Sequence, residues 1–257
     1  MIDWLQVLEK GFAAFFIAMA GEGVRALQQV LRLEKKYLLT LEEAKRMSGK
    51  LQQIMHQDPH NGAEGYLIRS LYFDTIVDGD YFDKLEGLDV RRKLRLRCYG
   101  PNDAYAKLEM KQKQGEQQKK RSLKLSRGEA EALCRGDYSV LLTKEEPFAA
   151  ECYALMQLRC YRPRSVVEYR RMAFIAKENN IRVTFDRDIR ANEACFDLFS
   201  PKLCLTPVFD PSHVVVEVKY NGFLLSYLKR LLDELDRREL SVGKYSQGRS
   251  VAYGSQF

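Results

Sequence analysis

The sequence lacks every glycine-rich loop that commonly binds nucleotide phosphates. Neither GxxxxGKS/T nor GxGxxG occurs, and the nearest approach, Ser241-Val-Gly-Lys244, is followed by tyrosine rather than serine or threonine. A protein-kinase signature is absent. No serine or cysteine stands at a spacing from one of the three histidines that indicates a nucleophile. A bound nucleotide would therefore have to be held by side chains.

The usual cysteine patterns are missing as well. The six cysteines form no CxxC pair and no zinc-like spacing, and there is no Asn-x-Ser/Thr acceptor site for glycosylation. This combination is typical of a reducing compartment. We therefore expect free, mostly buried thiols and a cytoplasmic location.

No run reaches the about 18 apolar residues of a transmembrane helix. The segment GFAAFFIAMA at 11–20 has the length of a signal-peptide core, but Asp3 and Glu9 stand where such peptides carry positive charge. Helical spacing of the apolar residues predicts an amphipathic helix within residues 1–30. We expect this helix to pack on its own domain or dock on a protein; targeting or membrane-surface binding is the alternative.

The composition predicts a folded protein with a local site for anions. Apolar residues make up 46% of the chain and aromatic residues 11%, which is enough for a substantial core. The net charge is +7, yet residues of both signs are interspersed and no run of five like charges occurs. Such a distribution favours a locally basic site over a basic tail.

Short strands dominate the predicted order of elements. Capping boxes at Thr40–Glu43 and Ser126–Glu129 start helices, Pro147 starts another, and Phe223–Arg237 is a further helix. Without repeats or a linker, residues 31–257 are predicted as one α+β domain, mainly antiparallel, forming a closed or partly closed barrel with flanking helices. The eight predicted strands are Leu31–Leu39, Tyr66–Asp74, Val90–Tyr99, Ala104–Lys113, Lys119–Leu125, Ser165–Ala176, Ile181–Asp188 and Val214–Tyr220.

Positive charge alternates with apolar residues along these strands. In RRKLRLRCYG at 91–100, Arg95 and Arg97 share one face, and Leu94 and Leu96 share the other. The pattern recurs at Lys36, Lys111, Lys119 and Arg121, Arg182, and Glu217 with Lys219. Such a barrel either exposes its charged face to bulk water or encloses a wet tunnel. Because enclosed cations repel one another, a tunnel of this kind would need a polyanion or counter-ions inside it, and a phosphate chain supplies that charge.

The carboxylates among these cations have two readings. Glu217 is either a counter-charge in a salt-bridge network or an oxygen ligand of a divalent cation, and the residues alone leave both open. Glu109 fits the counter-charge reading better.

Nine segments, taken together and in order, resemble the VTC domain, the polyphosphate polymerase module of the vacuolar transporter chaperone complex. That domain is part of the triphosphate tunnel metalloenzyme (CYTH-like) superfamily. The resemblance covers about residues 31–250. The segments are RLEKKY at 32–37, SLYFDT at 70–75, KLEG before RLRCYG at 84–100, KLEMK at 107–111, KKRSL at 119–123, YRRMAF at 169–174, RVTFDRD at 182–188, VVEVKY at 215–220 and KYSQG at 244–248.

The resemblance implies an eight-stranded antiparallel tunnel that transfers the γ-phosphoryl group of ATP to polyphosphate with Mn²⁺ or Mg²⁺. It implies Glu217 as metal ligand, with Lys219 on the same face, and Arg121 and Arg170 as flanking contacts. The phosphate ligands it implies are Lys36, Arg95, Arg97, Lys111, Lys119, Arg171, Arg182 and Lys244. Eukaryotic members also carry an SPX domain and transmembrane helices, and neither pattern occurs in these 257 residues.

Three other functions stay open at this point. The same tunnel could hydrolyse triphosphate or a nucleoside triphosphate, as elsewhere in the superfamily. A non-catalytic module for polyphosphate or inositol phosphate would bind without turnover and without a metal. Nucleic acid is the least favoured ligand, because aromatic residues do not alternate with the cations as stacking platforms would.

Overall fold

The computed structural model describes residues 32–115, 117–233 and 243–250. The predicted N-terminal helix at 1–30 lies outside these ranges. The strands are β1 (Arg32–Thr40), β2 (His56–Gln57), β3 (Tyr66–Asp74), β4 (Val90–Cys98), β5 (Tyr105–Gln114), β6 (Gln117–Ser126), β7 (Arg162–Ala176), β8 (Ile181–Asn192), β9 (Thr206–Pro207) and β10 (His213–Asn221). The helices in the described ranges are α1 (Leu41–Ile54), α2 (Gly79–Leu85), α3 (Arg127–Cys134), α4 (Pro147–Leu158), α5 (Ser226–Asp233) and α6 (Lys244–Ser250).

Local sequence signals explain where several helices begin. Thr40 precedes α1 and accepts a hydrogen bond from the Glu43 backbone N–H, while the Glu43 carboxylate accepts one from the Thr40 N–H. Ser126 and Glu129 form the same reciprocal cap at α3. Pro147 occupies the first turn of α4, where a missing N–H costs nothing. In the described ranges, no helix has both the length and the apolar character needed to cross a membrane.

The strands form one antiparallel sheet. Its eight long members follow the order β1-β10-β8-β7-β3-β4-β5-β6, with β2 and β9 as short additions to β7 and β8. All eight predicted strands are present, which confirms the mainly antiparallel fold class. The hydrogen-bonded path begins at β1 and ends at β6, so within the described residues the ladder curves without closing.

The convex face of the sheet carries two apolar cores. Leu94, Leu96 and Leu108 belong to the first, which α3 and α4 cover. Val216 and Phe174 belong to the second, under α1 and α5. Because strand side chains alternate, burying these residues turns the intervening charged positions toward the concave face.

Helix α6 fills the concave face at one end of the sheet. Tyr245 stacks on Tyr72 of β3 with ring centroids 4.9 Å apart. A Cβ at Gly248 would lie 2.8 Å from Val167 Cγ2 on β7, so only glycine fits at this contact. The sequence predicted no more than a short basic segment around Lys244, and the structure shows a helix there. Helix α2 next to it was not predicted at all.

The close approach of Gly65 to β7 yields a test of the fold. Gly65 has φ +73°, and a Cβ there would lie 2.3 Å from the Arg171 carbonyl oxygen. Gly136 has φ +86° but no atom within 4 Å of such a Cβ. We expect Gly65→Ala to lower the free energy of unfolding by about 3 kcal/mol and Gly136→Ala by about 1 kcal/mol, as measured by denaturant titration. Equal losses would show that backbone conformation alone, without the clash, sets the cost.

Candidate active site

The two arginines of β4 point into the concave face. The Arg95 Nε donates to Glu109 Oε2 at 2.8 Å, and the same guanidinium lies 3.3 Å from the Tyr72 hydroxyl. The Arg97 Nε donates to Ser70 Oγ at 3.1 Å, and its other end reaches the Tyr169 hydroxyl at 3.4 Å. Side chains of neighbouring strands therefore fix the orientation of both guanidinium groups.

Strands β1 and β10 supply the opposite wall. The Lys219 ammonium lies 2.5 Å from Glu217 and 3.5 Å from Glu34. Lys36 lies 2.6 Å from Glu34. Burial raises the pKa of Glu217, but Lys219 and Lys244 outweigh it and hold that pKa well below its usual range. Glu217 is therefore an anion at neutral pH.

Asp186 joins the wall to helix α6. Arg171 donates to both oxygens of this carboxylate, at 2.6 and 2.7 Å, and the Lys244 ammonium lies 2.5 Å from it. Although burial opposes ionisation, these two cations lower the pKa of Asp186. Lys244 also lies 5.0 Å from the centroid of the Tyr169 ring. One buried carboxylate thus fixes an arginine and a lysine from different elements.

Strand β5 brings one paired carboxylate and one lysine. Burial raises the pKa of Glu109, but Arg95, Arg97 and Lys120 outweigh it and set that pKa at about 2. Burial lowers the pKa of Lys111 to about 8, and the charges of Lys219 and Arg95 add to this. In the described part of the chain, Lys111 has no ion-pair partner.

The mutual influence of Lys111 and Lys219 shows how far the sheet curls. Lys111 is on β5 and Lys219 on β10, and four strands separate them in the ladder: β8, β7, β3 and β4. Their charges still act on each other. The concave face therefore encloses a lumen, and the charged residues listed above face one another across it.

Arg182 lies on the same face at the end of the sheet remote from α6. Its guanidinium donates to Asp58 Oδ2 at 2.6 Å and to the Tyr66 hydroxyl at 3.0 Å. The side chain is 34% exposed, more than Lys36 at 24% or Lys219 at 23%.

Lys119, Arg121 and Arg170 are not brought to this lumen. Arg121 pairs with Glu151 of α4 and stacks 4.8 Å from the centroid of the Phe148 ring on the convex side. Lys119 shares the face of Arg121 and is exposed. Arg170 is exposed on the convex side of β7. The charge pattern in β6 selected Lys119 and Arg121, whose positions lie on the convex face. The residue of β6 that faces the lumen is Lys120, which pairs with Glu109.

Several lumen residues were missed as site residues by the sequence reasoning. These are Lys93, Lys120, Asp186, Tyr72 and Tyr169. A usable signal existed for Lys120, because Leu123 and Leu125 mark the odd positions of β6 as core. Lys93 is two residues before Arg95 in β4, so the alternation of strand side chains predicts both on the same face. The tyrosines carry no such signal, because their rings are apolar and only their hydroxyls reach the arginines.

The donor set offers only part of a divalent-metal site. Among the described residues, no group of three or more His, Cys, Asp or Glu side chains could hold a metal ion. Glu217 and Glu34 are on adjacent strands and both contact the Lys219 ammonium, so their carboxylate oxygens lie on one face. Mg²⁺ is commonly bound by one or two carboxylates, with substrate phosphates and water completing the shell. The residues fit such a substrate-completed ion.

Two buried acids lie beneath the end of the lumen that α6 fills. Asp74 accepts a hydrogen bond from the Tyr245 hydroxyl at 2.5 Å and from the backbone N–H groups of Asp80 and Tyr81. Asp80 accepts one from the Tyr161 hydroxyl at 2.8 Å. Burial and the neighbouring Asp74 raise the pKa of Asp80 to about 7. These acids link α2 to α6.

A comparison with known families confirms the resemblance inferred from the sequence. A profile of the VTC domain matches residues 31–253. The chain belongs to the VTC domain family. A search of curated proteins finds no match to its sequence.

The fold of this chain is shared by a solved structure. A candidate adenylyl cyclase from Hippeastrum with a dominant triphosphatase activity aligns with a TM-score of 0.51 at 12% identity, covering 85% of this chain and 96% of its own. A candidate adenylate cyclase from Bacillus halodurans aligns with a TM-score of 0.46 at 15% identity, covering 80% and 87%. At such identities the likeness concerns the fold alone.

The opposite faces of Lys119 and Lys120 can be tested directly. We expect Lys120→Ala to weaken binding of inorganic triphosphate by about fivefold, because a lumen cation is lost. Lys119→Ala should change the dissociation constant by less than about twofold, because Lys119 lies on the convex face of β6, away from the lumen. Isothermal titration calorimetry at fixed ionic strength measures both. The reverse ranking would mean that β6 is paired one residue out of the register described here.

The raised pKa of Asp80 predicts a pH-dependent stability. In the unfolded chain this carboxyl ionises near its ordinary value, whereas in the folded protein it keeps its proton until about pH 7. Its contribution to stability is therefore present in acid and is lost as pH rises from about 4 to about 7. We expect Asp80→Asn to remove this loss, which is on the order of 3 kcal/mol.

The measurement is the melting temperature of wild type and Asp80→Asn at pH 5 and pH 8. The wild type should lose more stability between these values than the variant does. Asp89→Asn, just after the same helix, is the control, because Asp89 is exposed and is not among the groups that shift the pKa of Asp80. Parallel profiles for wild type and Asp80→Asn would show that Asp80 ionises normally in the folded state.

Proposed function

We propose that this VTC domain is a metal-dependent polyphosphate polymerase that transfers the γ-phosphoryl group of ATP to a phosphate or polyphosphate end. One observation carries the proposal: Arg95, Arg97 and Arg171 converge with lysines from other strands on one enclosed face. Side-chain forks and ammonium groups of this kind bind phosphate oxygens without a glycine-rich loop. The family membership supports the same ligand.

The reaction needs positioning and charge neutralisation more than covalent help. A terminal oxygen of the acceptor chain attacks the γ-phosphorus of ATP. The bond from that phosphorus to the β–γ bridging oxygen breaks, and ADP leaves with the electron pair. The chain grows by one phosphate. Arg95, Arg97 and Arg171 are placed to hold the equatorial oxygens as charge redistributes, since their partners already fix each guanidinium.

Glu217, together with Glu34, would hold Mn²⁺ or Mg²⁺ at the wall formed by β1 and β10. A bound ion of this kind neutralises charge on phosphate oxygens and helps to align the transferred group. Lys219 contacts both carboxylates, and Lys36 contacts Glu34, so the two lysines hold these side chains in place. The cation and the lysines therefore serve the same phosphate chain from one side.

The lumen carboxylates favour a phosphate acceptor over water. Glu109 has a pKa of about 2, and the pKa values of Asp186 and Glu217 are lowered as well. A general base works best with a pKa near the operating pH, so these groups are poor proton acceptors. An ionised phosphate end needs no base, whereas an attacking water does. Hydrolysis is the second candidate, because the Hippeastrum protein of the same fold has a dominant triphosphatase activity.

The decisive experiment incubates the protein with ATP and Mn²⁺, with and without a short polyphosphate primer. We expect a ladder of long anions on a polyphosphate-stained gel, with release of ADP. Arg97→Ala and Glu217→Ala should each lower the rate by about a hundredfold or more, because each removes charge aimed at the transferred group.

Arg135→Ala is the control, since this arginine is exposed after helix α3, and its rate should stay unchanged. Free phosphate without a ladder would establish hydrolysis instead. Intact ATP despite tight polyphosphate binding would leave a binding module, and the proposed transfer would be abandoned.

A further inference from the structure

Asp186 of β8 is a buried carboxylate that the proposed reaction leaves without a role. Its side chain has no exposed surface. One of its oxygens, Oδ1, accepts a hydrogen bond from Arg171 Nε at 2.6 Å. The other, Oδ2, accepts one from Arg171 Nη2 at 2.7 Å and lies 2.5 Å from the Lys244 ammonium. Two cations that are expected to bind phosphate therefore already share an internal anion.

The two cations reach Asp186 from different elements. Arg171 lies directly across from it on the neighbouring strand β7, whereas Lys244 belongs to helix α6. The ring of Tyr169 lies next to both, with its centroid 5.3 Å from Arg171 Cζ and 5.0 Å from Lys244 Nζ. The carboxylate and the ring together hold the two cations side by side.

The same contacts limit what these cations can offer to a ligand. The edge of the Arg171 guanidinium formed by Nε and Nη2 faces Asp186, and Nη2 is also 3.8 Å from Glu217. A phosphate that approaches this edge has to replace or share the carboxylate. The negative charge of Asp186 also subtracts from the positive potential that an incoming anion meets.

We propose that Asp186 is a positioning residue and an internal counter-anion: it orients Arg171 and Lys244 for transfer and limits how tightly they hold phosphate. The inference rests on the proposed function for the identity of the ligand and adds control of its release. An entering phosphate takes over part of the charge of the two cations. When the product moves on, Asp186 receives both cations back.

The first test replaces Asp186 with asparagine, which keeps the shape of the side chain and removes its charge. We expect Asp186→Asn to bind inorganic triphosphate about tenfold more tightly, because the ligand no longer competes with a buried anion. We expect kcat for release of ADP from ATP to fall by about tenfold, because the two cations lose the contacts that orient them. Calorimetry without ATP measures the affinity. Damage to the fold alone would weaken binding, so tighter binding with slower turnover separates the two causes.

Asp188→Asn is the matched control on the same strand. The Asp188 carboxylate lies 2.6 Å from Arg190, and its side chain is 44% exposed. The substitution is chemically the same, but it removes an exposed charge that contacts neither Arg171 nor Lys244. Both the triphosphate affinity and kcat should stay within about twofold of the wild type.

A charge-conserving pair of variants covers the case in which Asp186→Asn folds poorly, since losing a buried anion leaves two unbalanced cations. Lys244→Met alone should weaken triphosphate binding by about tenfold, because a lumen cation is lost. Adding Asp186→Asn to Lys244→Met restores the local net charge and frees Arg171. The double variant should bind triphosphate within about threefold of the wild type, as measured by calorimetry.

The direction of the change in affinity decides the outcome. Weaker or unchanged triphosphate binding on adding Asp186→Asn, in the wild type and in Lys244→Met, would overturn the counter-anion. An unchanged kcat in Asp186→Asn would overturn the positioning role. A wild type that binds triphosphate but only hydrolyses ATP would refute the proposed transfer, and the binding comparison would still decide whether Asp186 competes with phosphate.

Discussion

Repulsion among like charges is the constraint on which the rest of this structure depends. Cations from many strands face one lumen, and far fewer carboxylates share it. Each of those carboxylates serves more than one cation: Asp186 holds Arg171 and Lys244, and Glu109 holds Arg95 and Lys120. Under the proposed function, an incoming phosphate chain competes with these internal counter-ions, and its affinity is the difference between two sets of ion pairs.

Apolar packing on the convex side stabilises the sheet against this repulsion. Two apolar cores under α1, α3, α4 and α5 bind the strands together from outside. The lumen needs no apolar filling, except where α6 packs on Tyr72 and Val167. Stability and ligand binding are thus assigned to opposite faces of the same strands, and the period of two in strand side chains keeps them apart.

Much of this arrangement follows from the sequence wherever core residues mark the outward face. Leu94 and Leu96 predict both the strand and the inward direction of Arg95 and Arg97. In β6 the same rule, applied from Leu123, selects Lys120, whereas attention to charge alone selects Lys119 and Arg121. Helix α2 escaped prediction because it is held by Asp74 of β3 and by its own Asp80, whose hydrogen-bond partners Tyr245 and Tyr161 are distant in sequence. Local periodicity carries no information about such pairs.

The position of the last described elements bears on when the protein acquires its site during synthesis. Strand β1 pairs with β10, and Lys244 enters the lumen from α6, so residues near both ends of the domain meet in one place. A nascent chain that has emerged only through β8 lacks Glu217, Lys219 and Lys244. It exposes the cations of β4 and β5 without the wall that faces them. Under the proposed function, phosphate capture is therefore a property of the finished domain, acquired only after translation has passed residue 244.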